Sequence, residues 1–349
     1  MAIKIAFFCG HESRYGLAHL EPLIDKFDVR VVVIGTYERW EIFRQMLGGK
    51  VYYEPRDYVL SKSLAKNILP AWAIKLLRGD FRKINSIRRM LQSKNIPLWE
   101  IFDVNHEDSI ETFKELDVEL FVSAAYPQIF SKAILNIPNK GAVNFHPSLL
   151  PKYRGAHPHF WQIVNGEKEG GITAHFMTEN VDDGDIIAQL PFPIDDCTYS
   201  ELYEMIIQYT DPMVNDVRTF FETQTSQAKA QDSEDATYFR NNREIHSRIF
   251  WNIHTSREIY NLVRSGSAFA IFRGSKVVFT SSYATISNRN LTNGVRVENG
   301  TIVDIGKDSI SVKTVDGCIN FKEMKTGRNT MSFLQFARRK NIHAGERFE

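Results

Sequence analysis

Residues 144–189 read NFHPSLLPKYRGAHPHFWQIVNGEKEGGITAHFMTENVDDGDIIAQ. This stretch holds four of the ten histidines (His146, His157, His159 and His175) and a turn with three aspartates, Asp182, Asp183 and Asp185. The preceding residues make GAVNF a short strand that stops at His146, because Pro147 has no N–H to continue a ladder. Asn144 and His146 lie two apart on extended chain, so their side chains share a face. Open α/β sheets place their sites at the carboxyl ends of strands, where this pair falls. A second strand, GITAHFM, runs into ENVDDGD, which can return a carboxylate to the same crevice. An isolated Asn-x-His on a strand is usually ordinary packing. Here the strand end, the PSLLP turn, the acidic turn and the glycines occur together, and that combination points to a site.

Working outward, Ile3 to Phe8 is an apolar run bounded by Cys9-Gly10, the pattern of a buried parallel strand. A helix is predicted around Gly16 to Phe27 and a second buried strand from Val29 to Ile34, giving a right-handed βαβ opening. The turn CGHESRYG lacks the GxGxxG spacing of a dinucleotide site. A strand near Pro97 to Phe102 follows. Next comes a helix from His106, with Asp108 or Ser109 as its N-cap. The strand Glu119 to Ala124 and the short helix SKAILN precede GAVNF. Thr198 to Thr223 has the spacing of one long amphipathic helix. The fold class expected is α/β, a Rossmann-like, doubly wound, mostly parallel sheet over residues 1–225.

Residues 36–95 form an irregular insert. It is aromatic first (Tyr37, Trp40, Tyr52, Tyr53, Tyr58) and then helical and basic (Lys75, Arg78, Arg82, Lys83, Arg88, Arg89, Lys94). The basic part is a solvated face or an anion-binding one. A polar linker spans 226–244, including QTSQAKAQDSEDA. Residues 245–349 hold a helix around Thr255 to Arg264. Short alternating segments follow: AFAIF, KVVFTSSYATI, GTIVDI, SISVKTV and CINFKEM. Separated by Gly, Asn and Asp turns, they predict a small antiparallel β-barrel or sandwich of OB-like type.

Composition narrows the classes. With 43% hydrophobic and 24% charged residues, the 349-residue chain has an ordinary globular balance. A net charge of +1 disfavours nucleic acid and anionic membranes as partners. Cys9, Cys197 and Cys318 are far apart and in no CxxC pair, which suits free thiols in a reducing compartment. No signal-peptide pattern or apolar span is read, so the expected location is the cytoplasm.

NFHPSLLPKYRG followed by HFMTENVDDGDII resembles the formyltransferases that use 10-formyltetrahydrofolate. That family includes glycinamide ribonucleotide transformylase, methionyl-tRNA formyltransferase and the nucleotide-sugar N-formyltransferases. The likeness is specific over about residues 119–190. RIFWN, REIYNLVRS and the β-rich tail resemble the C-terminal module of the tRNA and sugar members. The resemblance implies catalytic roles for Asn144, His146 and Asp182, the last standing seven positions after His175. It implies formylfolate recognition, largely by main chain, at Gln128, Ile129, Phe130, Glu179, Asn180 and Asp182, with Tyr126 walling the pterin pocket. Tyr153, Arg154 and His157 are expected on the acceptor, with Arg154 suited to a phosphate. The co-substrate implied is N10-formyltetrahydrofolate. No metal is expected, since His157 and His159 have no third ligand nearby.

In formyl transfer, Asn144 would donate to the developing oxyanion, His146 would act as general base, and Asp182 would stabilise its charged form. RGAHPHFWQIVNGE resembles the sugar enzymes. The acceptor expected is therefore a UDP- or dTDP-linked amino-deoxy sugar used in cell-surface glycan (lipopolysaccharide or O-antigen) synthesis, handled by a cytoplasmic homodimer. The alternatives are a methionyl-tRNA formyltransferase, and a formyltetrahydrofolate-binding protein or hydrolase without a sugar acceptor.

Overall fold

Five largely apolar runs build the parallel part of the sheet: β1 (Lys4–Gly10), β2 (Asp28–Gly35), β3 (Leu98–Ile101), β4 (Leu120–Ala124) and β5 (Ala142–His146). In a computed structural model, which describes residues 2–10, 13–35, 87–283, 297–326 and 329–349, all five run parallel. The aromatic and basic insert expected from residue 36 lies outside the described residues as far as residue 86. After β6 (Arg154–Gly155), β7 (Glu169–Phe176) joins β5 antiparallel and β8 (Ile186–Pro193) follows it, giving the order β3-β2-β1-β4-β5-β7-β8. The mostly parallel, Rossmann-like sheet read from the sequence is therefore the fold. Strand order reverses between β1 and β4, which makes their carboxyl ends the switch point where such sheets open a crevice.

The helices differ from the sequence pattern at their breaks. One helix was expected around Gly16 to Phe27; there are two, α1 (Arg14–Ala18) and α2 (Leu20–Lys26). Pro22 has no N–H to offer Ala18, whose carbonyl instead accepts from the Thr210 hydroxyl at 3.3 Å. α3 (Glu107–Lys114) is capped by neither Asp108 nor Ser109: the imidazole of His106 accepts from the Asp108 amide at 3.3 Å. α4 (Lys132–Leu135) and α5 (Pro158–Val164) follow. The long helix expected over Thr198 to Thr223 is α6 (Tyr199–Gln208) and α7 (Thr210–Thr223), split ahead of Pro212 for the same reason.

The chain divides into two compact units. One comprises residues 1–154, 171–190 and 206–236; the other comprises 155–170, 191–205 and 237–349. The second unit holds β9 (Tyr238–Phe239), α8 (Ser256–Arg264), β10 (Phe269–Phe272), β11 (Ser275–Tyr283), β12 (Ile302–Ile305), β13 (Ile310–Lys313), β14 (Cys318–Thr326), β15 (Asn329–Ser332) and α9 (Phe333–Lys340). Its sheet runs β10-β11-β14-β13-β12, with β15 on β14 and antiparallel pairing throughout. The C-terminal residues bridge the two edges: Glu349 bonds Ile271 of β10, and Glu346 accepts from Ile302 of β12 at 2.7 Å. Trp251, Phe279, Phe321, Phe333 and Phe348 fill its core. Buried Arg264 explains why residues 155–170 and 191–205 belong here. It donates to the carbonyl of Cys197 at 2.8 Å and to that of Ile163 at 3.5 Å. β15 and α9 were not read from the sequence, although Ser332 and Gln335 form a reciprocal capping box at the start of α9.

The three cysteines are free; Cys9 and Cys318 are buried. Among the described residues no helix is long and apolar enough to cross a membrane.

His19, between α1 and α2, is fully buried and stacks on Phe145 at 4.4 Å between ring centroids. Its Nδ1–H donates to the carbonyl of Tyr15 at 2.9 Å, and burial lowers its pKa to about 4. The unfolded chain therefore takes up this proton first. Stability should fall as pH drops from about 6.5 to about 4, losing roughly 3 kcal/mol from this group. Denaturant unfolding at pH 7.5, 5.5 and 4.5 should show a flatter pH dependence for His19→Gln than for the parent chain. Equal slopes would remove His19 as the cause.

Candidate functional site

β5 lies between β4 and β7, and register decides what gathers there. Asn144 pairs with Ser123 on one side and with His175 on the other; His146 pairs with Thr173. Residues directly opposite across strands share a face. Asn144, His146, Thr173 and His175 therefore project together. Asn144 Nδ2 lies 3.2 Å from His175 Nε2.

Leaving β5, the chain loops back over β7 around one hydroxyl. Thr173, fully buried, donates to the Ser148 carbonyl at 2.6 Å and accepts from the Leu150 amide at 3.1 Å and from Gln189 Nε2 at 3.0 Å. The loop ends at Tyr153, held at φ +63°, whose carbonyl accepts from His146 Nε2 at 2.8 Å. A carbonyl can only accept, so Nε2 carries the proton and Nδ1 keeps the lone pair of the neutral ring. His175 is fixed in the opposite sense. Its Nδ1–H donates to the Phe176 carbonyl at 2.8 Å, leaving Nε2 to accept from Asn144.

The acidic turn supplies the carboxylate. Its three aspartates divide the work by geometry. Asp183 accepts from Thr178 and, at 2.8 Å, from Asn180, tying the turn to itself. Asp185 is exposed. Asp182, at φ +53°, turns inward, with Oδ2 3.4 Å from His146 Nδ1 and Oδ1 3.5 Å from both His175 Nε2 and Asn144 Nδ2. A left-handed aspartate costs about 1–2 kcal/mol and needs support from its surroundings. Gly184 provides one condition for that support. A Cβ there would sit 2.0 Å from the Phe176 carbonyl, so only glycine lets the turn close on β7.

His146 is 4% exposed. Burial lowers its pKa first; Asp182 and the Tyr153 carbonyl oppose that, and His175 adds to it. The net fall leaves the ring neutral at pH 7, with its Nδ1 lone pair facing a carboxylate. The 3.4–3.5 Å separations exceed a charge-assisted hydrogen bond of about 2.8 Å. The groups bracket a point where a proton or a reacting polar atom can be held.

The residues expected on the folate side line the loop after β4. Gln128's side chain is committed: it accepts from the Val104 amide at 2.8 Å and donates to the Phe102 carbonyl. Phe130 is buried and packs edge-on to Phe8 and Tyr126, whose own hydroxyl is buried. Ile129 is an apolar side chain left 60% exposed. Glu179 and Asn180 are exposed on the acidic turn, with Asn180's side chain tied to Asp183. Tyr153's side chain is buried. Arg154 Nε and Nη2 both donate to Gln231 Oε1, at 3.0 and 2.8 Å. His157 belongs to the second unit, where it starts α5 at φ +54°. His159 is buried there and stacks on Tyr203, 5.2 Å between centroids. Among the described residues no cluster of His, Cys, Asp and Glu has the geometry of a metal site.

Two site residues escaped the sequence reading. His175 served only as a spacing mark for Asp182. Its period-two relation to Thr173 along the strand was the available signal. Gln231 lies in the stretch read as a linker and carried no signal.

The formyl transferase family profile matches residues 84–210, and the profile of the formyl transferase C-terminal domain matches residues 243–341. A methionyl-tRNA formyltransferase of Acetivibrio thermocellus is 33% identical over 71% of this chain and 79% of its own. The chain belongs to the formyl transferase family. It is an N-formyltransferase, a one-carbon transferase enzyme. Among solved structures, WlaRD, a sugar 3N-formyl transferase in the presence of dTDP and 5-N-formyl-THF, is similar in fold. It superposes with TM-score 0.58 at 20% identity, covering 92% of this chain and 98% of its own. A HypX variant from Aquifex aeolicus gives TM-score 0.55 at 12% identity over 97% of this chain, which spans 49% of HypX.

Thr173→Val would strand the Leu150 and Gln189 donors and the Ser148 carbonyl. The cost should be about 1–3 kcal/mol, seen as a drop of a few degrees in Tm by thermal unfolding. An unchanged Tm would show that this hydroxyl does not hold the loop.

Proposed function

We propose that the protein transfers the formyl group of N10-formyltetrahydrofolate to the amine of a nucleotide-linked amino-deoxy sugar for surface glycan synthesis, acting at the Asn144, His146 and Asp182 cluster. The observation that carries the chemistry is that a carboxamide and a neutral imidazole each lie within 3.5 Å of one carboxylate. Attack of the amine puts negative charge on the formyl oxygen, which Asn144 Nδ2–H can receive; such a donor is worth about 3–4 kcal/mol. His146 Nε2 is already used by Tyr153, so Nδ1 takes the amine proton and passes it to the departing folate nitrogen. Asp182 stabilises the imidazolium in between. The loop Gln128–Phe130, through its main chain and Ile129, receives the folate ring.

Charge supports the sugar acceptor. Residues 237–349 hold eighteen Lys and Arg against nine Asp and Glu. Within the second unit, residues 155–170 and 191–205 add six acidic residues and one basic. Asp196 pairs with Arg257 at 2.7 Å, and Glu346 with Arg273. A polyanion requires many uncommitted cations. A diphosphate requires one or two, for which Arg154 is the candidate. A specific observation favours a second reading, charged initiator tRNA: the 33% identity to a methionyl-tRNA formyltransferase, together with the Arg338-Arg339-Lys340 turn of α9. A cytoplasmic homodimer remains part of the proposal.

Purified protein with 10-formyltetrahydrofolate should consume the amine of a dTDP- or UDP-amino sugar, with little dependence on salt. Formylation of Met-tRNA alone, falling steeply between 50 and 200 mM salt as phosphate contacts require, would transfer the assignment to tRNA. Formate release without any acceptor would make the protein a hydrolase. With the working acceptor, Asn144→Ala should lose about 10²–10³-fold in kcat and His146→Ala about 10²–10⁴-fold. Near-normal turnover by either variant would remove that residue from the chemistry.

A further inference from the structure

The stretch 224–236 reads as polar spacer, yet it crosses the acidic turn. Lys229 and Ile186 exchange both backbone hydrogen bonds, at 2.7 and 2.8 Å. Two residues on, Gln231 reaches the turn itself. Its Nε2 donates to the carbonyls of Asp182 at 2.9 Å and Gly184 at 2.7 Å, while its Oε1 accepts from Arg154 Nε and Nη2. Both amide protons and both oxygen lone pairs are thus in use, so the carboxamide has one orientation only.

We propose that Gln231 is a positioning residue for formyl transfer, fixing the main chain that carries Asp182 and, from the other end of the same amide, orienting the guanidinium of Arg154. The proposal rests on the reading of Asp182 as the partner of His146. Asp182 sits at φ +53°, a conformation its own turn supports from inside through Asp183, Thr178 and Asn180. Gln231 supports it from outside, on both carbonyls flanking the bend. Arg154 Nη1 takes no part in the clamp, so the guanidinium is aimed while that edge is left to an anionic group. One side chain thereby ties the main chain of Asp182 to the guanidinium of Arg154, the residue after Tyr153. Displacements of about 1 Å remote from the chemistry are enough to cost up to about 10²-fold in rate.

The test uses the full chain and three variants. Gln231→Met removes both halves of the clamp at constant length and charge. Gln231→Glu keeps the acceptor for Arg154 and removes the donors to the turn. Asp182→Asn is the reference. Formyl transfer is followed with 10-formyltetrahydrofolate on dTDP-amino sugar or Met-tRNA, whichever is used. The His146 imidazole is titrated by NMR, and Tm is recorded. Gln231→Met should lower kcat about tenfold with the formyl-donor KM within about twofold, and should move the His146 pKa down toward its value in Asp182→Asn. Gln231→Glu should lose kcat similarly, since the turn has lost its donors. If Gln231→Met lowers Tm but leaves the His146 titration and kcat unchanged, the role is structural and the proposal is overturned. If Gln231→Glu turns over normally, the link to the turn is overturned. Full turnover by Asp182→Asn would instead defeat the reading of Asp182. The His146 titration of Gln231→Met would still decide whether Gln231 places that carboxylate.

Discussion

The register between β5 and β7 is the constraint on which the site depends. Asn144 opposite His175 and His146 opposite Thr173 put four polar side chains on one face of two antiparallel strands. Side chains alternate with period two, so a slip of one residue would send Asn144 and His146 into the opposite face of the sheet. There Phe145 already packs on His19. The slip would bury two polar groups in an apolar layer and expose an aromatic ring. The cost of that exchange holds the register, and the register in turn holds the geometry of the candidate site.

Given the register, backbone carbonyls set the proton positions. The Tyr153 carbonyl claims Nε2–H of His146, and the Phe176 carbonyl claims Nδ1–H of His175. The two imidazoles therefore present opposite nitrogens to Asp182 and Asn144. Burial keeps His146 neutral while Asp182 opposes that shift. A group balanced in this way can accept a proton and release it within one reaction. The loop with Tyr153 and the turn with Asp182 are both held in left-handed conformations. Each is bonded by a side chain that uses several hydrogen bonds at once, Thr173 for the loop and Gln231 for the turn. Strain localised beside a reactive group and offset by such supports is a common feature of enzyme sites.

The second unit follows a different logic. Its aromatic core and its closing C-terminal residues make a small antiparallel body, yet it also takes in residues 155–170 and 191–205 from between parts of the sheet unit. Arg264 is central to this because its guanidinium reaches the carbonyls of Cys197 and Ile163, both distant in sequence. The acidic residues brought in offset the basic excess of residues 237–349. The sequence count alone hides that redistribution.

Sequence alone determined the class of fold and named residues that the fold gathers at the candidate site. Apolar runs ending at Gly10, Gly35 and Pro147 read as buried strands, and the two-residue spacing of Asn144 and His146 put them on one face. These are local periodicities, which a linear string carries in full. Resemblance singled out Asp182 from its neighbours, and Thr178 and Asn180 are seen to occupy Asp183 instead. Tertiary structure decided the rest. The helix breaks before Pro22 and Pro212 were visible as residues but were outweighed by longer apolar periodicity. His175 joined the site only through cross-strand pairing. The His146 tautomer depends on a carbonyl seven residues away that points inward because Tyr153 is left-handed. Gln231 meets Asp182 across 49 positions of chain. A side chain bonding to a distant main-chain atom leaves no periodicity behind, so only the folded molecule brings it to light.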